Sequence, residues 1–356
     1  MIDQSIFNEE WFKELKSRYK FQNAAVAEKM VHALSLVEEL SKTDLDFVLK
    51  GGTSLILLIS PTRRFSVDVD IITKASRESI ESFLNEICTS SEHFTRFELD
   101  ERRSYNPGIP KAHYFMFYKS VNSGREDYVL IDILFEDVLY PSVIKKQIGS
   151  QWVKTIEPEI DVKVPSIESV LGDKLTAFAP NTTGVPYGKD KELEIAKQLF
   201  DIGSLFDYTR NLDDLSRSFF DIVAAEIEYR KLSIDSDEVL HDVIATAKLI
   251  ASQGKLEFKE DQEHYREILT GIKALNEFLI NERFRLEDAV LASAKAALLA
   301  AKLLRKDNSS LQLFSPELNI LDYMIEDPDH NSLNKLRKIP GGSLFYWYHT
   351  IKLIKE

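Results

Sequence analysis

The chain has 356 residues, 44% of them apolar and 29% charged, with a net charge of −13. That length allows two domains with separate cores, and the acid excess excludes a protein whose whole surface grips nucleic acid while leaving room for one local basic groove. A single cysteine, Cys88, excludes an intrachain disulfide and any cysteine-built zinc or iron–sulfur centre, as suits a reducing cytoplasm.

The first residues, Met1-Ile2-Asp3-Gln4, are polar and acidic, with no apolar leader. Val26, Met30, Leu34 and Val37 recur at helical spacing and predict an amphipathic helix over residues 23–41. A short strand over 46–49 leads into Gly51-Gly52, with a helix from 53 to 59 and, after Pro61, a strand over 67–72. A helix is expected over 80–87. Residues 112–119 and 127–135 alternate as two strands joined through Asn122-Ser123-Gly124. Beyond Pro165, Ser166-Ile167-Glu168-Ser169 opens a helix running toward Ala179, and residues 180–189 form a loop of Asn, Thr, Gly and Pro. From Lys191 onward helix follows helix. The longest apolar stretch, 289–304, is broken by Lys295 and Lys302 and falls short of a membrane span, so a cytoplasmic protein with no membrane partner is expected.

The chemistry concentrates near the start. A glycine pair after an apolar run lets backbone approach a phosphate without interference from a Cβ. In a strand over 67–72, Asp68 and Asp70 face one side together while Val67, Val69 and Ile71 face the other. Two adjacent carboxylates repel unless a cation neutralises them, and hard oxygen ligands suit Mg²⁺, with Mn²⁺ as a substitute. Asp132, inside another apolar strand, is a third carboxylate that needs a partner. A phosphate-binding turn followed by a metal-binding aspartate pair is equipment for moving a nucleotide. No His-x-x-His, Walker or Gly-x-Gly-x-x-Gly pattern competes with it.

Gly51-Gly52-Thr53-Ser54-Leu55, followed by Arg64-Phe65-Ser66-Val67-Asp68-Val69-Asp70, resembles the AbiEii/AbiGii toxin family of the DNA polymerase beta-like nucleotidyltransferase superfamily. That family's later motifs have counterparts in Asp173-Lys174-Leu175-Thr176-Ala177-Phe178 and in Lys197-Gln198-Leu199-Phe200-Asp201. The resemblance covers residues 45–205. Two positions depart from the family pattern: Val67 replaces an acidic residue, and the last motif lacks its middle carboxylate. The resemblance implies an α+β fold: a polymerase beta-like nucleotidyltransferase domain, a mixed sheet with flanking helices, over 1–205, followed by an all-helical domain over 206–356. It implies that Asp68 and Asp70 ligate Mg²⁺, and that Asp132 ligates a second metal or takes the proton of the attacking hydroxyl. Gly51, Gly52, Thr53 and Ser54 would bind the β and γ phosphates through N–H and hydroxyl donors, flanked by Arg63, Arg64 and Ser66. Lys174 would neutralise triphosphate charge, the alternative being a solvated lysine on a helix; its loss is expected to leave stability nearly unchanged. Asp201 would orient Lys197 at helical spacing, contact base or ribose, or form an ordinary helix ion pair.

The expected activity is transfer of a nucleotide from an NTP to an acceptor by the toxin of a toxin–antitoxin or abortive-infection pair. The acceptor is expected to be RNA, with tRNA suspected, and a cognate antitoxin is the protein partner. A small-molecule nucleotidyltransferase and a non-catalytic nucleotide-responsive scaffold are the alternatives; the intact carboxylate set favours an enzyme. Basic residues interleaved with aromatics over 335–355 (Lys335, Arg337, Lys338, then Phe345, Tyr346, Trp347 and Tyr348) offer a candidate RNA surface, or else a packed helix with a charged outer face.

Overall fold

A computed structural model describes residues 1–104, 109–255 and 258–355. The chain forms two compact units: Met1–Ser166 with Glu277–Arg283, and Ile167–Asn276 with Phe284–Glu356.

The first unit begins with helices α1 (Glu9–Arg18) and α2 (Ala24–Lys42), followed by strand β1 (Val48–Lys50), α3 (Gly51–Leu58) and β2 (Val69–Ile72). Helix α4 (Arg77–Ser90), β3 (Phe94–Leu99), the short α5 (Glu101–Ser104), β4 (Lys111–Lys119) and β5 (Glu126–Leu134) come next. A hairpin of β6 (Val143–Gln147) and β7 (Asp161–Pro165) closes the unit. Strands β1 to β5 make one mixed sheet in the order β1-β2-β5-β4-β3, in which only β2 and β5 run parallel. One face is apolar: Val69, Ile71, Ile131, Ile133, Tyr114 and Met116 are fully buried in a core shared with α2 and α4. Removing these side chains from water stabilises the unit by about 1.5–3 kcal/mol each and fixes which way every strand faces, because a one-residue slip would turn the whole set outward.

Buried Glu28 on α2 secures the β4–β5 turn. Its carboxylate accepts from Ser120 Oγ at 2.9 Å, the Val121 amide at 2.6 Å and Asn122 Nδ2 at 2.7 Å. With the turn held, Lys119 pairs with Glu126 and the register of the hairpin follows. Residues 277–283 return to this unit: the Phe65 amide donates to the Phe278 carbonyl at 2.8 Å and the Ile280 amide to the Arg63 carbonyl at 3.1 Å. That strap pins the segment entering β2.

The second unit is helical: α6 (Ile167–Ala177), α7 (Glu192–Phe206), α8 (Leu212–Arg230), α9 (Ser236–Ala251), α10 (Lys259–Leu275), α11 (Leu286–Leu304) and α12 (Ser343–Lys355). Helix α11 is central, packing on α7, α9 and α12, and its alanines allow the close approach. Between α11 and α12 the described chain has only short 3-10 turns, so the expectation of continuous helices ends at residue 304.

Sequence reading misses α1, β3 and the β6–β7 hairpin, whose strands are short and irregular in pattern. By packing, the units divide at Ser166 and Ile167 rather than at 205, because α6 and α7 bury their apolar faces against α8, α10 and α11.

Candidate active site

The sheet face opposite the core carries a polar row. Cα register sets Lys50 on β1 beside Asp70 on β2, Asp70 beside Asp132 on β5, and Asp132 beside His113 on β4. Side chains in cross-strand register stand on the same face, so Asp70 and Asp132 are immediate neighbours. Both are part-exposed, in contrast to the sealed valine and isoleucines behind them. The grouping of these two aspartates is therefore a product of the one parallel strand pair in the sheet.

Regular strand β2 begins at Val69, so Asp68 lies just ahead of it rather than within an alternating run. The strap at residues 277–283 and the glycine turn hold that entry segment instead of a ladder partner. Thr53 Oγ1 donates to the Asp68 carbonyl, and Ser54 Oγ donates to the Gly51 carbonyl at 2.8 Å. Both side chains are fully buried. Their hydroxyls are engaged in fixing the turn, which corrects the expectation that these hydroxyls reach a phosphate.

Gly51 opens α3 at φ +67, a left-handed conformation that a side chain resists. A Cβ there would overlap the Asp70 carboxylate. At Gly52 a Cβ would come within 2.5 Å of Ser66 Oγ and 2.8 Å of Arg64 Nη2. The glycine pair thus lies directly under Asp70 on one side and under Arg64 and Ser66 on the other. Arg64 is buried, and its Nη1 donates to the Phe65 carbonyl at 2.9 Å. Helix α3 has no side-chain cap. The amides of its first turn, with the helix dipole and the guanidinium of Arg64, are groups that could receive an anion next to the carboxylates. Arg63 is engaged elsewhere, in a two-point ion pair with Glu282, Nε to Oε1 at 2.9 Å and Nη2 to Oε2 at 2.6 Å.

A hard divalent cation fits this donor set. Magnesium uses one or two protein carboxylates and completes its shell with water and substrate phosphates rather than with an all-protein cage. Asp68 and Asp70 could hold it beside the anion-binding turn, with Asp132 next in the row. Among the described residues no three His, Cys, Asp or Glu groups already converge on one point. Asp132 is turned instead onto His113, whose Nδ1 meets its Oδ1.

In the helical unit, Lys174 on α6 is only 7% exposed and meets Asp201 on α7, Nζ to Oδ2 at 3.1 Å, with Asp201 2% exposed. The lysine is a buried ion-pair partner, not a solvent-facing charge, and Asp201 ties the third motif to the fourth. Lys197, one turn before Asp201 on α7, contacts Glu194 at 3.0 Å. The aromatic surface expected near the C-terminus is not available for stacking: Phe345, Tyr346 and Trp347 are buried, with Tyr346 packed edge-on against Phe206. Arg337 and Lys338 remain exposed.

Two site residues escape the sequence reading, His113 and Glu282. His113 was within reach: counting back from the hairpin turn sets it opposite Asp132. Glu282 gives no such signal, since its partner Arg63 lies far away in sequence.

A glycine turn that opens a helix beside Asp70, with a further carboxylate on the parallel neighbour strand, is an arrangement suited to nucleotidyl transfer. The profile of the family described as Nucleotidyl transferase AbiEii toxin, Type IV TA system, matches residues 34–285. The chain belongs to the AbiEii nucleotidyltransferase toxin family. No curated protein matches the sequence. Among solved structures, a Helicobacter pylori protein assigned as a nucleotidyltransferase is similar at 18% identity and TM-score 0.46, over 80% of this chain and 97% of that one. JHP933 from Helicobacter pylori is similar at 16% identity and TM-score 0.46, over 81% and 96% of the two chains. An antigenic nucleotidyltransferase-like protein from Paracoccidioides brasiliensis is similar at 16% identity and TM-score 0.37, over 60% and 97%. No described helix is long and apolar enough to cross a membrane.

Proposed function

We propose that this toxin transfers a nucleotide from a Mg²⁺-bound NTP to an RNA acceptor, tRNA foremost, in the cytoplasm, and that an antitoxin partner opposes it. Register-neighbours Asp70 and Asp132 beside the Gly51-Gly52 turn are the observation that carries this reading. First-turn amides of α3 and the Arg64 guanidinium bind the terminal phosphates. Asp68 and Asp70 hold the divalent ion, which when bound neutralises and polarises the phosphoryl oxygens. Asp132 completes the carboxylate set and faces the attacking hydroxyl. The hydroxyl oxygen bonds to the α-phosphorus, its proton passes to Asp132, the bond to the bridging oxygen breaks, and pyrophosphate leaves. Ser66, against Gly52, orders the turn. For Lys174 and Lys197, in the helical unit, the family resemblance implies a role in neutralising triphosphate charge.

A small-molecule acceptor is the second reading, favoured by the burial of the C-terminal aromatics and by the net charge of −13. One experiment separates the two. Purified protein is incubated with each α-labelled NTP and total RNA, with Mg²⁺ or with chelator. Label on a discrete RNA species, lost with chelator, is the expected result; label released only on small molecules supports the second reading.

A further inference from the structure

We propose that His113 is a positioning residue for Asp132: its Nδ1–H fixes carboxylate oxygen Oδ1 and so orients the last carboxylate of the row. The inference rests on the reading of Asp132 as part of the metal–phosphate site. His113 stands at the register position opposite Asp132, and the two are in hydrogen-bond contact through Nδ1 and Oδ1. Its backbone is held from both directions. The His113 amide donates to Ser104 Oγ at 2.9 Å, and its carbonyl accepts from the Asp100 amide at 2.8 Å. The ring is well enclosed, its side chain 12% exposed against 32% for Asp132.

Tautomer follows from packing. Nε2 of His113 is buried and has no hydrogen-bond partner among the described residues. A proton there would be a buried, unsatisfied donor, at a cost of about 1–3 kcal/mol, whereas a proton on Nδ1 is donated to a carboxylate. Of the two ring nitrogens, Nδ1 is therefore the one this environment selects to carry the donated proton. In that form it is a donor of fixed direction on a central strand. It occupies Oδ1 and leaves the other oxygen of Asp132 for ligand or substrate. An aspartate without this tether would be free to rotate about its side-chain bonds, and a carboxylate beside a cation works only when its lone pairs are aimed. Sequence motifs carry no trace of this role, because His113 comes from the hairpin partner strand and from none of the four motif segments.

Three variants test it. His113→Phe keeps a ring but removes the donor; His113→Asn keeps an N–H donor on the γ-carbon, where the imidazole carries Nδ1; Asp132→Asn tests the carboxylate itself. Mn²⁺ affinity without nucleotide is read by electron paramagnetic resonance, alongside kcat and KM for NTP and the melting midpoint. His113→Phe should weaken Mn²⁺ binding and lower kcat by about 10–100-fold, with KM for NTP unchanged, and His113→Asn should restore most of both. A long-range ¹H–¹⁵N spectrum of the wild-type protein should show the proton on Nδ1. Wild-type Mn²⁺ affinity in His113→Phe, with loss in Asp132→Asn, would overturn the role of His113 alone. Wild-type behaviour in Asp132→Asn would instead overturn the assignment of Asp132, and His113 with it. If His113→Phe melts early, His113→Asn and the spectrum decide: a folded Asn variant as weak as the Phe variant, or a proton on Nε2, refutes the proposal.

Discussion

Replacing Lys174 by methionine should damage the fold as well as the reaction. Lys174 and Asp201 meet at 3.1 Å with side chains 9% and 2% exposed, so removing the ammonium takes an ion-pair partner from a buried carboxylate. Breaking such a pair costs about 3–5 kcal/mol, whereas replacing both partners by apolar groups of similar volume is close to neutral. For a domain of this size, 3 kcal/mol corresponds to a fall of roughly 6–12 °C in melting midpoint. The cycle is Lys174→Met, Asp201→Leu and the double variant, each followed by urea unfolding and by nucleotide transfer. Each single variant should lose stability, and the double should recover most of it, giving a large coupling energy. Transfer should stay lost in Lys174→Met and in the double variant, because methionine cannot supply charge to a triphosphate. A Lys174→Met variant as stable as wild type, or a double variant as unstable as the two losses added together, would refute the buried pair. Recovered transfer in the double variant would show that Lys174 serves the fold alone.

Gly51→Ala should cost about 1–2 kcal/mol from its positive φ, with more from overlap with Asp70, and an added Asp70→Ala should relieve only the second part; equal losses with and without Asp70 would show no contact. His32 is fully buried and stacked on Tyr118 at 3.7 Å, and burial pushes its imidazole down to about 3. Since the unfolded chain takes up that proton near 6.5, stability should fall as pH drops from about 6.5 toward 3. His32→Phe should flatten that limb in urea midpoints measured at pH 7 and pH 5, and an unchanged slope would assign acid sensitivity elsewhere. Charge reversal at exposed Arg337 and Lys338 should lower transfer to RNA and reduce its salt dependence without altering NTP affinity, measured by filter binding across a salt series.

Much of the fold and of the candidate site is legible in the chain because the proposed chemistry sits in local motifs. The glycine turn, Asp68, Asp70 and Asp132 are found by pattern, since a carboxylate inside an apolar strand has few uses. The α2 helix and the β4–β5 hairpin follow from periodicity. What the sequence hides is pairwise and distant. Nothing local says that β2 runs parallel to β5, which is what makes Asp70 and Asp132 neighbours. Lys174 reads as a surface lysine because helical periodicity locates the face of α6 but not the aspartate on α7 that meets it. Thr53 and Ser54 look like phosphate donors until their hydroxyls are seen bonded to backbone carbonyls. The aromatics of α12 read equally well as a stacking surface or a core, and the packing of Tyr346 on Phe206 decides for core.

Catalysis by the carboxylates beside the glycine turn is the central claim, and single-turnover transfer of α-labelled NTP in Asp68→Asn and Asp70→Asn tests it most directly. Amides keep the size of these side chains and remove the charge that holds a divalent ion. Both variants should remain folded and should transfer no measurable label. Folded variants that transfer label at the wild-type rate with Mg²⁺ would contradict the account.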